Sequence, residues 1–269
     1  MADDDPITEG YFDRHLHRPL AAWVLGRVRP APSLELLTLA GLVVGLTGAV
    51  AVLLASPRSV DWIFPAWLLF AFTVASRGRR LLAGKAGAEP EAGTLEFAIG
   101  AAFWVALTLR AAPDSAWTCT LASVALVSAL VHVGLHAELR RRFLDLTGGD
   151  GDVAPPSPRP SVAALARGLA PAVFHDLAAV LLGPEHLGGR PPPGAARSLL
   201  AAPMRMAALL GHDTHLALLY VATAVAAVRI DLSFWTVALA VAVGLNVWAL
   251  LVVSAWRRAE ALVGRLAPA

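Results

Sequence analysis

The chain has 269 residues, 57% of them hydrophobic and only 16% charged, with a mean hydropathy of +0.63 and a formal net charge of +2. So few charges over this length exclude an ordinary water-soluble domain, because the apolar excess must face something other than water. The sequence pI near 9.2 does not point to nucleic acid, since the basic residues flank apolar runs instead of gathering on a polar face with interleaved aromatics.

Met1 to Asp5 is acidic, so no secretory signal peptide is expected at this end. Tyr11 to Val28 mixes Leu16, Leu20, Trp23 and Leu25 with Arg14, Arg18 and Arg27. That mixture predicts an amphipathic helix lying along a membrane interface. A spanning helix needs about 20 mostly apolar residues. Leu36 to Ala55 meets that length without an internal charge, and Trp62 to Ser76 is shorter but uncharged. Gly93 to Leu109 qualifies if Glu96 lies near an interface, and Ser115 to Ala137 carries only His132 and His136 near its end. Thr214 to Val228 and Leu232 to Trp256 complete six candidate spans.

The expectation is an all-α fold: a polytopic bundle of six transmembrane helices plus the N-terminal interfacial helix. Residues 1–35 form a cytoplasmic N-terminus, 36–137 hold spans one to four, 138–212 form a cytoplasmic loop, and 213–269 hold spans five and six with a cytoplasmic tail. The loop contains apolar stretches such as Val162 to Leu182, broken by Arg167, Pro171, His175 and Asp176, which read as interfacial or re-entrant pieces. Basic residues test this topology, because cytoplasmic loops carry an excess of Lys and Arg. Only Arg58, Arg110 and Arg229 fall on the far side, which leaves nineteen of the 22 on the near side. A multi-pass protein of the cell membrane with both termini cytoplasmic is the reading that follows.

Cys119 is the single cysteine and sits in an apolar run, so no disulfide framework is possible. His132 and His136, at i and i+4, share a helix face in a spacing that would suit a metal, with Glu138 nearby. The histidine count and spacing of diiron or zinc membrane enzymes are lacking, so helix-end and loop roles are favoured over a metal. Asn246, a lone polar group in span six, reads as an interhelical hydrogen-bonder. No phosphate-binding glycine loop or nucleophile elbow is present.

The segment Phe12-Asp13-Arg14-His15-Leu16-His17-Arg18-Pro19-Leu20 resembles the juxtamembrane helix that opens many CDP-alcohol phosphatidyltransferases. Thr38-x-x-Gly41-Leu42-x-x-Gly45-Leu46 is similar to that family's first transmembrane helix, and Gly211-His212-Asp213 to the start of its fifth. Asn246-Val247-Trp248 followed by Trp256-Arg257-Arg258 resembles its sixth. The resemblance implies transfer of a phospho-alcohol group from a CDP-linked donor, such as a CDP-linked lipid, to a hydroxyl, with release of CMP. It also implies a homodimer in the membrane.

The family signature, D-x-x-D-G-x-x-A-R, eight residues, then G-x-x-x-D-x-x-x-D, would fall across Val74 to Arg80 and Ala92 to Gly100. Ungapped, its four acids land on Ala75, Gly78, Glu96 and Gly100; shifted by one, the first two land on Val74 and Arg77. One acid of four remains, and Mg²⁺ or Mn²⁺ held beside a pyrophosphate needs two or more carboxylates. A lone Glu96 therefore makes a poor metal ligand, and no cofactor is expected; Mg²⁺ or Mn²⁺ would be required only by an active enzyme. Arg77, Arg79, Arg80 and Lys85, with Glu96, remain as candidates for binding a phosphate or an anionic lipid head group. They equally fit the positive flank of span two, with Glu96 paired to an arginine.

Three functions stay open: a catalytically silent relative that binds lipid or a partner, an active transferase with rearranged ligands, and an unrelated transporter or bundle. If metal ligands are rearranged, Asp176 and Asp213 are the first acids to consider.

Overall fold

The structure is a computed structural model that describes residues 7–29, 32–55, 60–85, 94–111, 116–148, 180–183, 191–228 and 230–266. Most of those residues are helical, with no strand among them. A π-helical turn, Asp13–His17, leads into α1, Arg18–Arg27. The helices α2, Leu34–Leu54, α3, Ile63–Lys85, α4, Thr94–Ala111, and α5, Ala116–Thr147, follow. The C-terminal part holds α6, Pro193–Ala207, α7, His212–Val225, α8, Ile230–Leu239, and α9, Asn246–Gly264.

Among the described residues, four helical stretches are long and apolar enough to cross a membrane: Leu34–Leu54, Ala116–Thr147, Pro193–Val225 and Phe234–Gly264. The third differs from the sequence expectation. Pro191 to Pro193 lie within 138–212, which reads as a cytoplasmic loop, yet Pro193 stands in the first turn of α6, where a missing N–H costs nothing. A short 3₁₀ turn, Ala208–Leu210, then joins α6 to α7. Span two of the sequence reading lies inside α3 except for Trp62, and the last turns of α3 carry Arg77, Arg79, Arg80 and Lys85; span three lies inside α4 except for Gly93, which is outside the described residues. Val162 to Ala179 lies outside the described residues.

The chain divides into two compact units. One comprises residues 10–129 and 212–244, so it holds α1 to α4, the first part of α5, α7 and α8. In it α2 packs on both α3 and α4, and α3 on α7. Close approach is possible because Gly41, Gly45 and Gly48 line the inner face of α2. A Cβ at Gly45 would fall 2.9 Å from Ile99, and one at Gly48 2.5 Å from Phe103. Large side chains take the other face: Leu39, Val43, Leu46, Val50 and Leu54 are all exposed. Small residues inside and large apolar ones outside is the arrangement that lipid selects and water opposes. At the far end, the Arg110 Nε–H donates to the Ala55 carbonyl at 2.9 Å and so caps the C-terminus of α2. The Trp104 indole donates to the Ala122 carbonyl at 2.9 Å and stacks on Phe234.

The other unit includes residues 130–211 and 245–269. Its core joins Leu135, Leu139 and Phe143 of α5 to Leu200 and Met204 of α6 and to Val252 and Trp256 of α9. Polar groups are matched across these helices. His132 Nε2 lies 3.1 Å from Asn246 Oδ1, and the Trp248 indole donates to the Met206 carbonyl at 2.9 Å. Asn246 is thus an interhelical hydrogen-bonder, as its solitary place in an apolar run implied; it follows directly on a π-helical turn, Ala240–Leu245. Near its end α5 carries Glu138, fully buried, which accepts from Arg141 at 2.7 and 2.8 Å and from Arg142 at 2.8 Å. Arg142 also donates to the Gly183 carbonyl and lies 3.5 Å from Glu260. Arg257 donates to the Leu181 carbonyl, so two arginines hold the described piece 180–183.

Candidate functional site

The polar cluster lies in the first unit, where the turn Asp13–His17 that opens the N-terminal helix meets α3 and α7. Asp13 stands in the opening helical turn, as acids do where a helix presents free N–H groups. Asp213 stands in the first turn of α7, and its carboxylate reaches across to that same helix start. The Asp13 N–H donates to Asp213 Oδ2 at 2.9 Å, and the Phe12 N–H donates to the same carboxylate. Asp213 therefore caps a helix 200 residues away in sequence. The chain turns into that helix at Gly10, and the position admits no side chain: a Cβ there would fall 2.0 Å from Asp213 Oδ1.

The Asp13 carboxylate faces the opposite way. His17, one helical turn on and wholly buried, places Nδ1 3.4 Å from Asp13 Oδ1. Arg77 and Arg80, one turn apart on α3, place their Nη1 atoms 3.3 and 3.8 Å from Asp13 Oδ2. Burial pushes the Asp13 carboxyl up, but the His17 hydrogen bond and the charges of Arg77 and Arg80 outweigh it. The group is brought from 3.8 down to about 2. On its other nitrogen His17 meets the Tyr220 hydroxyl at 3.5 Å, and Phe70 closes an aromatic group with His17 and Tyr220.

Of the residues singled out from sequence, Arg77 and Arg80 come together on Asp13, and Arg79 is buried between them on α3. Lys85 ends α3 and Glu96 lies in the first turn of α4; the side chains of both, and Asp176, lie outside the described residues. Asp13, His17 and Tyr220 were not singled out as site residues. The Asp13–His17 spacing of four was a readable signal for a helical pair, but its meeting with α3 and α7 was not.

Two adjacent carboxylates invite a test for a divalent cation, and the residues do not fit one. Asp213 is spent on backbone N–H groups, and Asp13 faces two guanidinium groups, which repel a cation. The signature positions fare no better. A side chain at Gly78 would meet Leu25 and Leu37, and one at Gly100 would meet Leu216 at 3.2 Å. At Gly78 those contacts would be ordinary ones, at 3.7 Å or more, and neither position carries a carboxylate.

Around the cluster, the N-terminal helix exposes Tyr11, Leu16 and Trp23 beside Arg14 and Arg27, and the Arg27 guanidinium lies 3.8 Å over the Trp23 ring. Aromatic and basic side chains sharing an exposed surface suit the boundary between lipid and water. No family model, curated protein or solved structure matches this chain.

Proposed function

We propose that this helical membrane protein is a catalytically silent relative of the CDP-alcohol phosphatidyltransferases that binds a phosphate-bearing lipid head group at the cytoplasmic interface. The observation that carries this reading is the pair of arginines, Arg77 and Arg80, set beside the exposed aromatic and basic surface of the juxtamembrane helix. Guanidinium groups recognise phosphate oxygens in pairs, and adjacent aromatics anchor the site at head-group depth. Silence follows from Ala75, Gly78 and Gly100, which carry no carboxylate where the resemblance calls for one. The test joins two assays on purified protein in lipid. Native mass spectrometry should show anionic lipid retained over phosphatidylcholine, and less of it after Arg77→Gln and Arg80→Gln. No Mg²⁺- or Mn²⁺-dependent CMP release from CDP-diacylglycerol should exceed a protein-free control. Metal-dependent turnover that disappears in Glu96→Ala would establish the active transferase instead.

The same reading takes the chain across the membrane six times with both ends cytoplasmic. At 1.5 Å per residue, the 23 residues of α3 extend about 35 Å and the 18 of α4 about 27 Å, which is comparable with a hydrocarbon core of about 30 Å. The arginines of α3 all stand at one end, from which they can reach the interface. In a cysteine-free background (Cys119→Ser), Asp61→Cys should react with a membrane-impermeant maleimide from outside intact cells. Asp145→Cys should react only after lysis. Labelling of Asp145→Cys in intact cells would refute the topology.

A further inference from the structure

Two clusters among the described residues set a carboxylate against a pair of arginines, and they differ in how tightly the charges are held. Around Glu138 the N···O distances are 2.7 and 2.8 Å, the range of full charge-assisted hydrogen bonds. Around Asp13 they are 3.3 and 3.8 Å, with His17 at 3.4 Å. The looseness has a geometric cause. The Asp13 backbone is fixed by its N–H bond to Asp213, the side chain is short, and one oxygen, Oδ2, faces both arginines at once. Glu138 has a longer side chain and shares a helix with both of its arginines, so it closes fully on them.

We propose that Asp13 is a built-in competitor at a phosphate site formed by Arg77 and Arg80, a carboxylate standing where a phosphoester group binds. This deepens the head-group reading above and rests on it. A phosphoester has more acceptor oxygens than a carboxylate and is not tethered to the chain. It can therefore give each guanidinium its own oxygen at bonding distance, which Asp13 cannot. The site is also within reach of solvent. The side chains of Asp13, Arg77 and Arg80 are 13%, 12% and 32% exposed, whereas Glu138 is 0% exposed. With its carboxyl held down to about 2, Asp13 is charged at every physiological pH, so the competition is constant. The consequence is an affinity set below what the two arginines alone would give, so only a locally concentrated phosphate is captured.

The experiment uses the full chain in phosphatidylcholine nanodiscs, titrated in one arm with phosphatidic acid in the bilayer and in the other with glycerol 3-phosphate in solution. Asp13→Asn keeps an acceptor for His17 and removes the charge. It is expected to tighten binding about tenfold, the factor that corresponds to 1.4 kcal/mol. Asp13→Glu keeps the charge and should give no gain. Arg77→Gln and Arg80→Gln should each weaken binding about tenfold or more, as expected for hydrogen bonds to a charged group. Asp13→Asn should bring no gain once both arginines are replaced. A response in the lipid arm alone assigns the phosphate to a head group, and a response in both assigns a site for phosphoesters in general. If Asp13→Asn binds no tighter while the arginine variants bind weaker, the competitor role is refuted and head-group binding stands. A gain from Asp13→Asn that persists without the arginines would also refute it, as a change in overall charge alone. If no arginine substitution weakens binding, both the competitor and the head-group reading fall. Thermal unfolding of each variant in the same nanodiscs identifies any that is misfolded, and Asp13→Glu then carries the comparison with the arginine variants.

Discussion

Glu138→Ala is expected to destabilise the protein by about 3–5 kcal/mol, the usual cost of removing one partner from a buried ion pair. Glu138 is completely buried and accepts from both Arg141 and Arg142. Arg141 is 46% exposed and can turn to water or keep Asp145, 2.8 Å away. Arg142 is 3% exposed and cannot escape. Its remaining carboxylate contact, Glu260 at 3.5 Å, is longer and weaker than the one lost. Replacing both Glu138 and Arg142 by leucine or methionine removes the stranded charge along with its partner, so the double variant should recover much of the loss. Unfolding in mild detergent, followed by circular dichroism against added SDS, would measure both. A single Glu138→Ala variant as stable as the parent would show that the buried charge finds compensation elsewhere.

Asp213→Ala is expected to release the N-terminal helix. It removes the acceptor for the Phe12 and Asp13 N–H groups, and loss of such a cap costs about 0.5–2 kcal/mol. A second effect opposes it, because Asp213 and Asp13 repel one another and the substitution relieves that repulsion. Asp213→Asn separates the two effects: it keeps an acceptor and removes the charge, so it should hold the helix nearly as well as the parent. Hydrogen exchange of the Phe12 to His17 amides is the readout, since local opening of an end segment shows there before any global change. Faster exchange in Asp213→Ala but not in Asp213→Asn is the expected result. Equal exchange in all three proteins would mean that Asp213 does not hold the helix.

How much of this was legible in the sequence depends on the range of each interaction. Leu36 to Ala55 predicted α2 to within two residues because an uninterrupted apolar run of spanning length has few other solutions. The same rule placed the start of α5 but ended it at Ala137, ten residues early. Hydropathy stops where the charges begin, whereas the helix continues through Glu138 to Asp145, whose charges pair at helical spacings of three and four. Pro191 to Pro193 misled in the opposite sense, because a proline that breaks a helix interior also starts one well. At the candidate site, the basic run of α3 was plain, but the carboxylate that it faces was not. Asp13 reaches Arg77, Arg80 and Asp213 through the fold alone, across gaps of up to 200 residues that no local pattern spans.

The bond between Arg110 and the Ala55 carbonyl bears on how the chain is made. Ala55 leaves the ribosome 55 residues before the side chain that completes its helix end. Until then that end carbonyl needs another donor, such as water. The glycine face of α2 is likewise unfilled until Ile99 and Phe103 arrive on the same helix as Arg110. The helix α2 is thus synthesised before the residues that cap its end and fill its glycine face.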